Sequence, residues 1–138
     1  MKAMILAAGL GTRLKPFTNE HPKALANVNG KTLLQRNIEY LAKYSIKDVI
    51  VNVHHFPEQI KKLLEKNKGF GSNITISDES DAILETGGGM KKAAWFFDDS
   101  NEPFVVMNVD VLTDMDLNEM INEFRNLQPV ATLAVTTR

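Results

Sequence analysis

The feature that most constrains this chain is a buried strand that breaks into a glycine loop within its first dozen residues. Ala3 to Ala7 form a continuous apolar run, the pattern of a strand covered on both faces. The run gives way at Ala8 to Gly9-Leu10-Gly11-Thr12-Arg13. Glycine permits φ values that turn successive backbone N–H groups towards one point, which makes an anion-binding nest. At the carboxyl end of a parallel strand, such a nest lies where open α/β sheets bind ligands. The segment therefore reads as a phosphate loop. Arg13, Lys15 and Lys23 are its nearby cations, and Pro22 stiffens the turn that carries Lys23.

Two common phosphate loops do not fit. The pattern G-x-x-x-x-G-K-[ST] is absent, because no Gly-Lys-Ser/Thr follows Gly9. The dinucleotide fingerprint G-x-G-x-x-G fails at its third glycine, where Leu14 stands, and Pro16 stops a helix from running through the segment. The loop must work through backbone N–H groups and cationic side chains. A dinucleotide-dependent oxidoreductase is disfavoured on the same grounds, and by the lack of an acidic residue ending the second strand.

The rest of the chain alternates strands and helices. Asp48–Val53 (DVIVNV) and Asn73–Ser77 read as strands two and three. Between strands one and two, Thr32 caps a helix whose apolar positions are Leu33, Leu34, Ile38 and Leu41. Pro57 opens the next helix, with Ile60, Leu63 and Leu64 as its stripe. Thr86-Gly87-Gly88-Gly89 opens a short helix that carries Ala93 to Phe96, and Trp95-Phe96-Phe97 reads as core. Pro103–Val109 is the fourth strand, Asp116 caps a fourth helix, and Val130–Val135 is expected to be a fifth strand. This order argues for an α/β fold with a doubly wound, mostly parallel, Rossmann-like sheet in one domain.

Composition narrows the function classes. Net charge is −1, so no nucleic-acid surface is indicated, and no apolar run is long enough to span a membrane. The absence of cysteine excludes disulfides and thiolate chemistry, and fits a reducing, cytoplasmic setting. Charge is unevenly divided: residues 1–69 hold twelve Lys/Arg against five Asp/Glu, and residues 70–138 hold four against twelve. A basic phosphate loop facing an acidic metal loop would have this polarity. Two halves that simply pair at the surface would have it too.

Asp110 directly follows the fourth strand, so its carboxylate should emerge at the same sheet edge as the glycine loop. It is either a solvated strand-end residue or a ligand for a hard cation such as Mg²⁺, which takes one or two carboxylates plus substrate phosphates. Asn108 shares that face of the strand. His54 and His55 are adjacent and point to opposite faces, so they read as sheet-end hydrogen bonders rather than metal ligands. Asp114 and Asp116 read as turn and cap residues.

The segment LAAGLGTRLKPFTNEHPKAL resembles the signature of the sugar-phosphate nucleotidyltransferases, matching it at Leu6, Ala7, Gly9, Gly11, Arg13, Leu14, Pro16, Thr18, Pro22, Lys23 and Leu25. The segments VNVHH, LETGGG, NVDV and TLAV resemble the bacterial branch with mannose-1-phosphate guanylyltransferases and N-acetylmuramate-1-phosphate uridylyltransferases. The resemblance implies an enzyme that couples an NTP to a sugar 1-phosphate, giving NDP-sugar and pyrophosphate. It implies nucleotide contacts from Leu6, Ala7, Ala8, Gly9, Gly11, Thr12, Arg13 and Lys23, with Arg13 and Lys23 as catalytic cations and Asp110 holding Mg²⁺. It further implies that Glu79 with Thr86, Gly87 and Gly88 receives base and ribose. Val109 stands where the family more often has glycine.

Relatives in this family continue beyond the strand at Val130–Val135 and carry there a second metal-binding Asp and much of the sugar pocket. The expectation is therefore that residues 1–138 form the N-terminal portion of a nucleotidyltransferase domain, with the sugar-binding part missing. Such a portion is expected to self-associate through an exposed sheet edge. The alternative is an inactive or regulatory nucleotide-binding module of the same fold.

Overall fold

The computed structural model describes residues 1–136. Its centre is a four-stranded parallel sheet of β1 (Lys2–Leu6), β4 (Asp48–Val53), β5 (Asn73–Asp78) and β6 (Val105–Asn108), ordered β5-β4-β1-β6. A small antiparallel hairpin pairs β2 (Asn27–Val28) with β3 (Lys31–Thr32) around Asn29-Gly30. Both turn residues have positive φ, as a tight two-residue hairpin requires.

The apolar runs explain the layering. Within β1, Ala3 and Ile5 belong to one core and Met4 to another, the two-residue period of a strand covered on both sides. The larger core packs against α1 (Leu33–Lys43), α2 (Pro57–Lys66) and α4 (Leu117–Leu127) through Leu34, Ile38, Leu41, Ile60, Leu64 and Leu117. The smaller core joins Met4, Ile50 and Ala93 to Met90, Phe96 and Phe97 near α3 (Glu85–Lys92). Thr32 caps α1 by accepting from Gln35 N (3.1 Å), and Asp116 caps α4 by accepting from Asn118 N (2.9 Å). Pro57 is the first residue of α2.

Strand order positions the site. From β1 the chain steps outward to β4 and β5, then returns to place β6 on the far side of β1. The order thus reverses between β1 and β6. At such a switch point the loops after the two strands diverge and open a crevice at their carboxyl ends.

Three expectations are corrected. Val130–Val135 is not a strand: it is irregular and largely exposed, with Val130, Leu133 and Val135 open to solvent. β-branched residues favour extended structure, but a strand is held by a ladder partner, and this segment takes none in the sheet. Among the described residues β6 therefore remains an edge. The fourth strand is also shorter than Pro103–Val109, beginning after Pro103, which has no N–H to donate, and turning at Val109. Trp95 is 60% exposed rather than core, because α3 ends at Lys92 and a single 3-10 turn, Ala94–Phe96, rotates it outward.

Candidate active site

The glycine loop leaves β1 as a series of tight turns with no helix. Single 3-10 turns at Thr12–Leu14, Phe17–Asn19 and Lys23–Leu25 follow one another. Gly11 sits at φ +63, its carbonyl accepting from Leu14 N (2.8 Å) and from Thr18 Oγ1 (2.9 Å). Pro22 is extended and buried and launches the last turn, so Lys23 is carried back across the loop. A Cβ at Gly9 would lie 3.2 Å from Lys23 Nζ, which shows how closely the ammonium lies against the loop backbone. Arg13 is exposed, and its guanidinium has no hydrogen bond or ion pair within the described residues.

Asp110 arrives from the other side of the switch point. Val109 N donates to Leu6 O (3.1 Å), holding the turn after β6 against the end of β1. Asn37 Nδ2 fixes the Val109 carbonyl from α1 (2.8 Å). The result is an ion pair between Lys23 Nζ and Asp110 Oδ2 at 3.2 Å, with the lysine 15% and the aspartate 37% exposed. Glycine loop, Lys23 and Asp110 are thus brought together. The polarity between the two halves of the chain appears here as a contact, but Lys2–Asp99 and Lys61–Asp78 also join the halves at the surface. The charge division thus appears both as a contact beside the glycine loop and as ordinary surface pairing.

A metal could be held here only in part by this chain. Among the described residues no three His, Cys, Asp or Glu side chains cluster as a metal site. Asp110 offers a single, partly exposed, hard carboxylate beside the glycine loop. That donor set fits a cation such as Mg²⁺, which keeps waters and takes its other ligands from substrate phosphates.

The segment expected to receive base and ribose opens a short helix, as its sequence suggested. Thr86, Gly87 and Gly88 lie within the first turns of α3, after Glu85 in the left-handed region at φ +57. Thr86 and Gly87 are exposed. Glu79 is 1% exposed, with Oε1 accepting from Asn52 Nδ2 (2.9 Å) and Oε2 buried without a hydrogen-bond partner. Next to it, Lys61 and Ser80 bind Asp78 and hold its carboxyl far below the usual carboxylate range. His54 Nδ1 donates to Glu79 O (2.6 Å) and His55 Nε2 to Thr18 O (2.8 Å), so both histidines brace loops as their positions suggested.

Asn52 was not among the residues expected in the site. It accepts from Ala7 N (2.7 Å) and Ala8 N (3.3 Å) where the glycine loop begins. Its signal in the sequence was a lone amide inside the apolar run DVIVNV.

Residues 2–138 match the nucleotidyl transferase family. The chain belongs to that family. Over 110 residues it is 44% identical to the N-acetylmuramate alpha-1-phosphate uridylyltransferase of Caulobacter vibrioides, covering 78% of this chain and 45% of that relative. It is 40% identical over 121 residues to a mannose-1-phosphate guanyltransferase of Neurospora crassa, covering 87% of this chain and 33% of the relative. Among solved structures, HddC from Yersinia pseudotuberculosis complexed with GMP-PN aligns with a TM-score of 0.76 at 29% identity, covering 89% of this chain and 53% of that one. This nucleotidyl transferase chain thus spans a third to a half of the length of these proteins. Its glycine loop, Lys23 and Asp110 all fall within the matched residues.

Proposed function

We propose that this chain forms the nucleotide-binding part of a sugar-1-phosphate nucleotidyltransferase. A phosphate oxygen of the sugar 1-phosphate attacks the α-phosphorus of an NTP. The new P–O bond forms as the bond to the bridging oxygen of the β-phosphate breaks, and pyrophosphate leaves with that electron pair. The products are NDP-sugar and pyrophosphate. The observation that carries this reading is the meeting of the glycine loop, Lys23 and Asp110 at the strand-order switch. The uridylyl and guanyl transfer named for its relatives points to UTP or GTP as the nucleotide.

Such chemistry depends on positioning and charge neutralisation rather than a covalent nucleophile. Backbone groups of Leu6 to Thr12 cradle the triphosphate, Arg13 binds the departing pyrophosphate, and Lys23 neutralises charge at the reacting phosphate. Asp110 would hold Mg²⁺, which would supply further charge neutralisation. Lys23 is released from Asp110 as the phosphates arrive, since the anion then supplies its partner. Base and ribose are received by Glu79, whose Oε2 has no partner, with Thr86, Gly87 and Gly88. A cytoplasmic setting accords with these substrates and with the cysteine-free composition.

The direct test is Arg13→Ala. A hydrogen bond to a charged group contributes about 1.5–3 kcal/mol, so NTP affinity should fall roughly tenfold or more. Arg13→Lys should recover only part of it, because a point charge lacks the guanidinium fork. Unchanged affinity by calorimetry in a folded Arg13→Ala protein would remove the loop assignment.

We further propose that the open edge of β6 leads this chain to self-associate. β6 pairs with β1 on one side only, and Phe104, Val106, Val111 and Leu112 lie exposed on or beside it. An unpaired edge with apolar neighbours is a template for another strand. Light scattering should give a mass above 15.4 kDa that rises with concentration. A strict monomer at high concentration speaks against it.

A further inference from the structure

Asn52 is the only polar residue among Val49–Val53 and is buried. It stands in register with Leu6, the last residue of β1. Beyond Leu6 the backbone leaves the sheet, and the next two N–H groups, of Ala7 and Ala8, would lack strand acceptors. Asn52 Oδ1 accepts from both, so a side chain extends the ladder to the first residues of the phosphate loop. Buried N–H groups without a partner are rare because they lose their water and gain nothing in return.

The other end of the amide holds the opposite side of the site. Asn52 Nδ2 donates to Glu79 Oε1 at 2.9 Å. Glu79 N in turn donates to Val53 O (2.7 Å), and its carbonyl accepts from His54. α3 closes on this pair through a glycine: a Cβ at Gly89 would lie 2.8 Å from Glu79 Oε1 and 2.9 Å from Asn52 Nδ2. The amide has one workable orientation, with oxygen towards two N–H donors and nitrogen towards a carboxylate. Asp would set two carboxylates against each other, and Leu would strand both N–H groups.

We propose that Asn52 is a positioning residue for the nucleotide site, clamping the start of the phosphate loop to Glu79 and the glycine face of α3. The inference rests on the nucleotide site proposed above. It predicts that the polarity of the Asn52–Glu79 bond, not the bulk of the side chains, sets the phosphate loop.

The experiment is a polarity swap. Asn52→Asp sets like charges 2.9 Å apart, whereas Asn52→Asp with Glu79→Gln restores one donor and one acceptor at the same places. Inorganic triphosphate is the probe, because it has no base and does not draw on Glu79. Asn52→Asp, measured at a temperature where circular dichroism shows it folded, should bind triphosphate about tenfold more weakly, as expected for neighbouring residues that couple. The double variant should return to within about threefold of the parent, a rescue that side-chain bulk alone would not give. A folded Asn52→Asp with parental affinity, or a double variant no better than the single, overturns the clamp. If the parent binds neither triphosphate nor any NTP, the nucleotide-site reading fails on its own, and hydrogen exchange decides the clamp. The amides of residues 7–13 should exchange faster in Asn52→Asp and recover in the double variant; unchanged exchange overturns it.

Discussion

Asp110→Asn is expected to slow pyrophosphate release from NTP and sugar 1-phosphate about a hundredfold or more, since metal stabilisation of transition-state charge is worth several kcal/mol. The substitution keeps size and shape and removes one negative charge. What it breaks in the resting protein is the Lys23–Asp110 pair, which is partly exposed and contributes at most about 1 kcal/mol. Melting temperature should therefore hardly move. The turnover assay uses the chain joined to the C-terminal part that its longer relatives carry. The chain alone offers a second readout, in which the gain in NTP affinity on adding Mg²⁺ should disappear. Turnover like the parent at ordinary Mg²⁺ would refute the ligand role. Unfolding of the variant would instead make Asp110 a structural residue.

The sheet and the turns of the glycine loop were legible because their signals are local. A strand covered on both faces reads as an apolar run, and β1 and β4 do so almost without interruption. The glycine loop and Pro22-Lys23 are read in the same way, since turn chemistry depends on neighbouring residues. The residues that escaped depend on contacts distant in sequence. Asn52 looks like a flaw in a strand until Ala7, Ala8 and Glu79, 45, 44 and 27 residues away, are placed beside it. Val130–Val135 has strand composition, but no local signal says whether a partner strand is there to receive it. The helix at α3 was expected from Thr86-Gly87-Gly88-Gly89, although three successive glycines are poor helix formers; what the sequence did not show is why the glycines are there. Gly89 is in the helix because nothing larger fits beside Glu79.

Gly11→Ala should be the most damaging single-methyl change in the glycine loop. Two costs combine at this position. The backbone sits at φ +63, where an L-residue loses roughly 1–2 kcal/mol relative to glycine. The added Cβ would also lie 2.9 Å from both Lys23 Cβ and Thr18 Cγ2, and relieving such overlap typically costs about 1–3 kcal/mol. Thr18 is buried and bonded to the Gly11 carbonyl, so it has little freedom to retreat. Together these make about 2–5 kcal/mol, a large share of the 5–15 kcal/mol that typically holds a domain. Gly30 supplies the control: its φ is +81, but a Cβ there meets nothing within 4 Å, so Gly30→Ala should cost only the backbone part. Urea unfolding of the two variants separates the costs, and Gly11→Ala should be the less stable by about 1–3 kcal/mol. The displaced Lys23 should also weaken NTP binding in whatever fraction of Gly11→Ala remains folded. Equal stability of the two variants would mean that Lys23 and Thr18 yield freely, and that these contacts do not hold the loop in one shape.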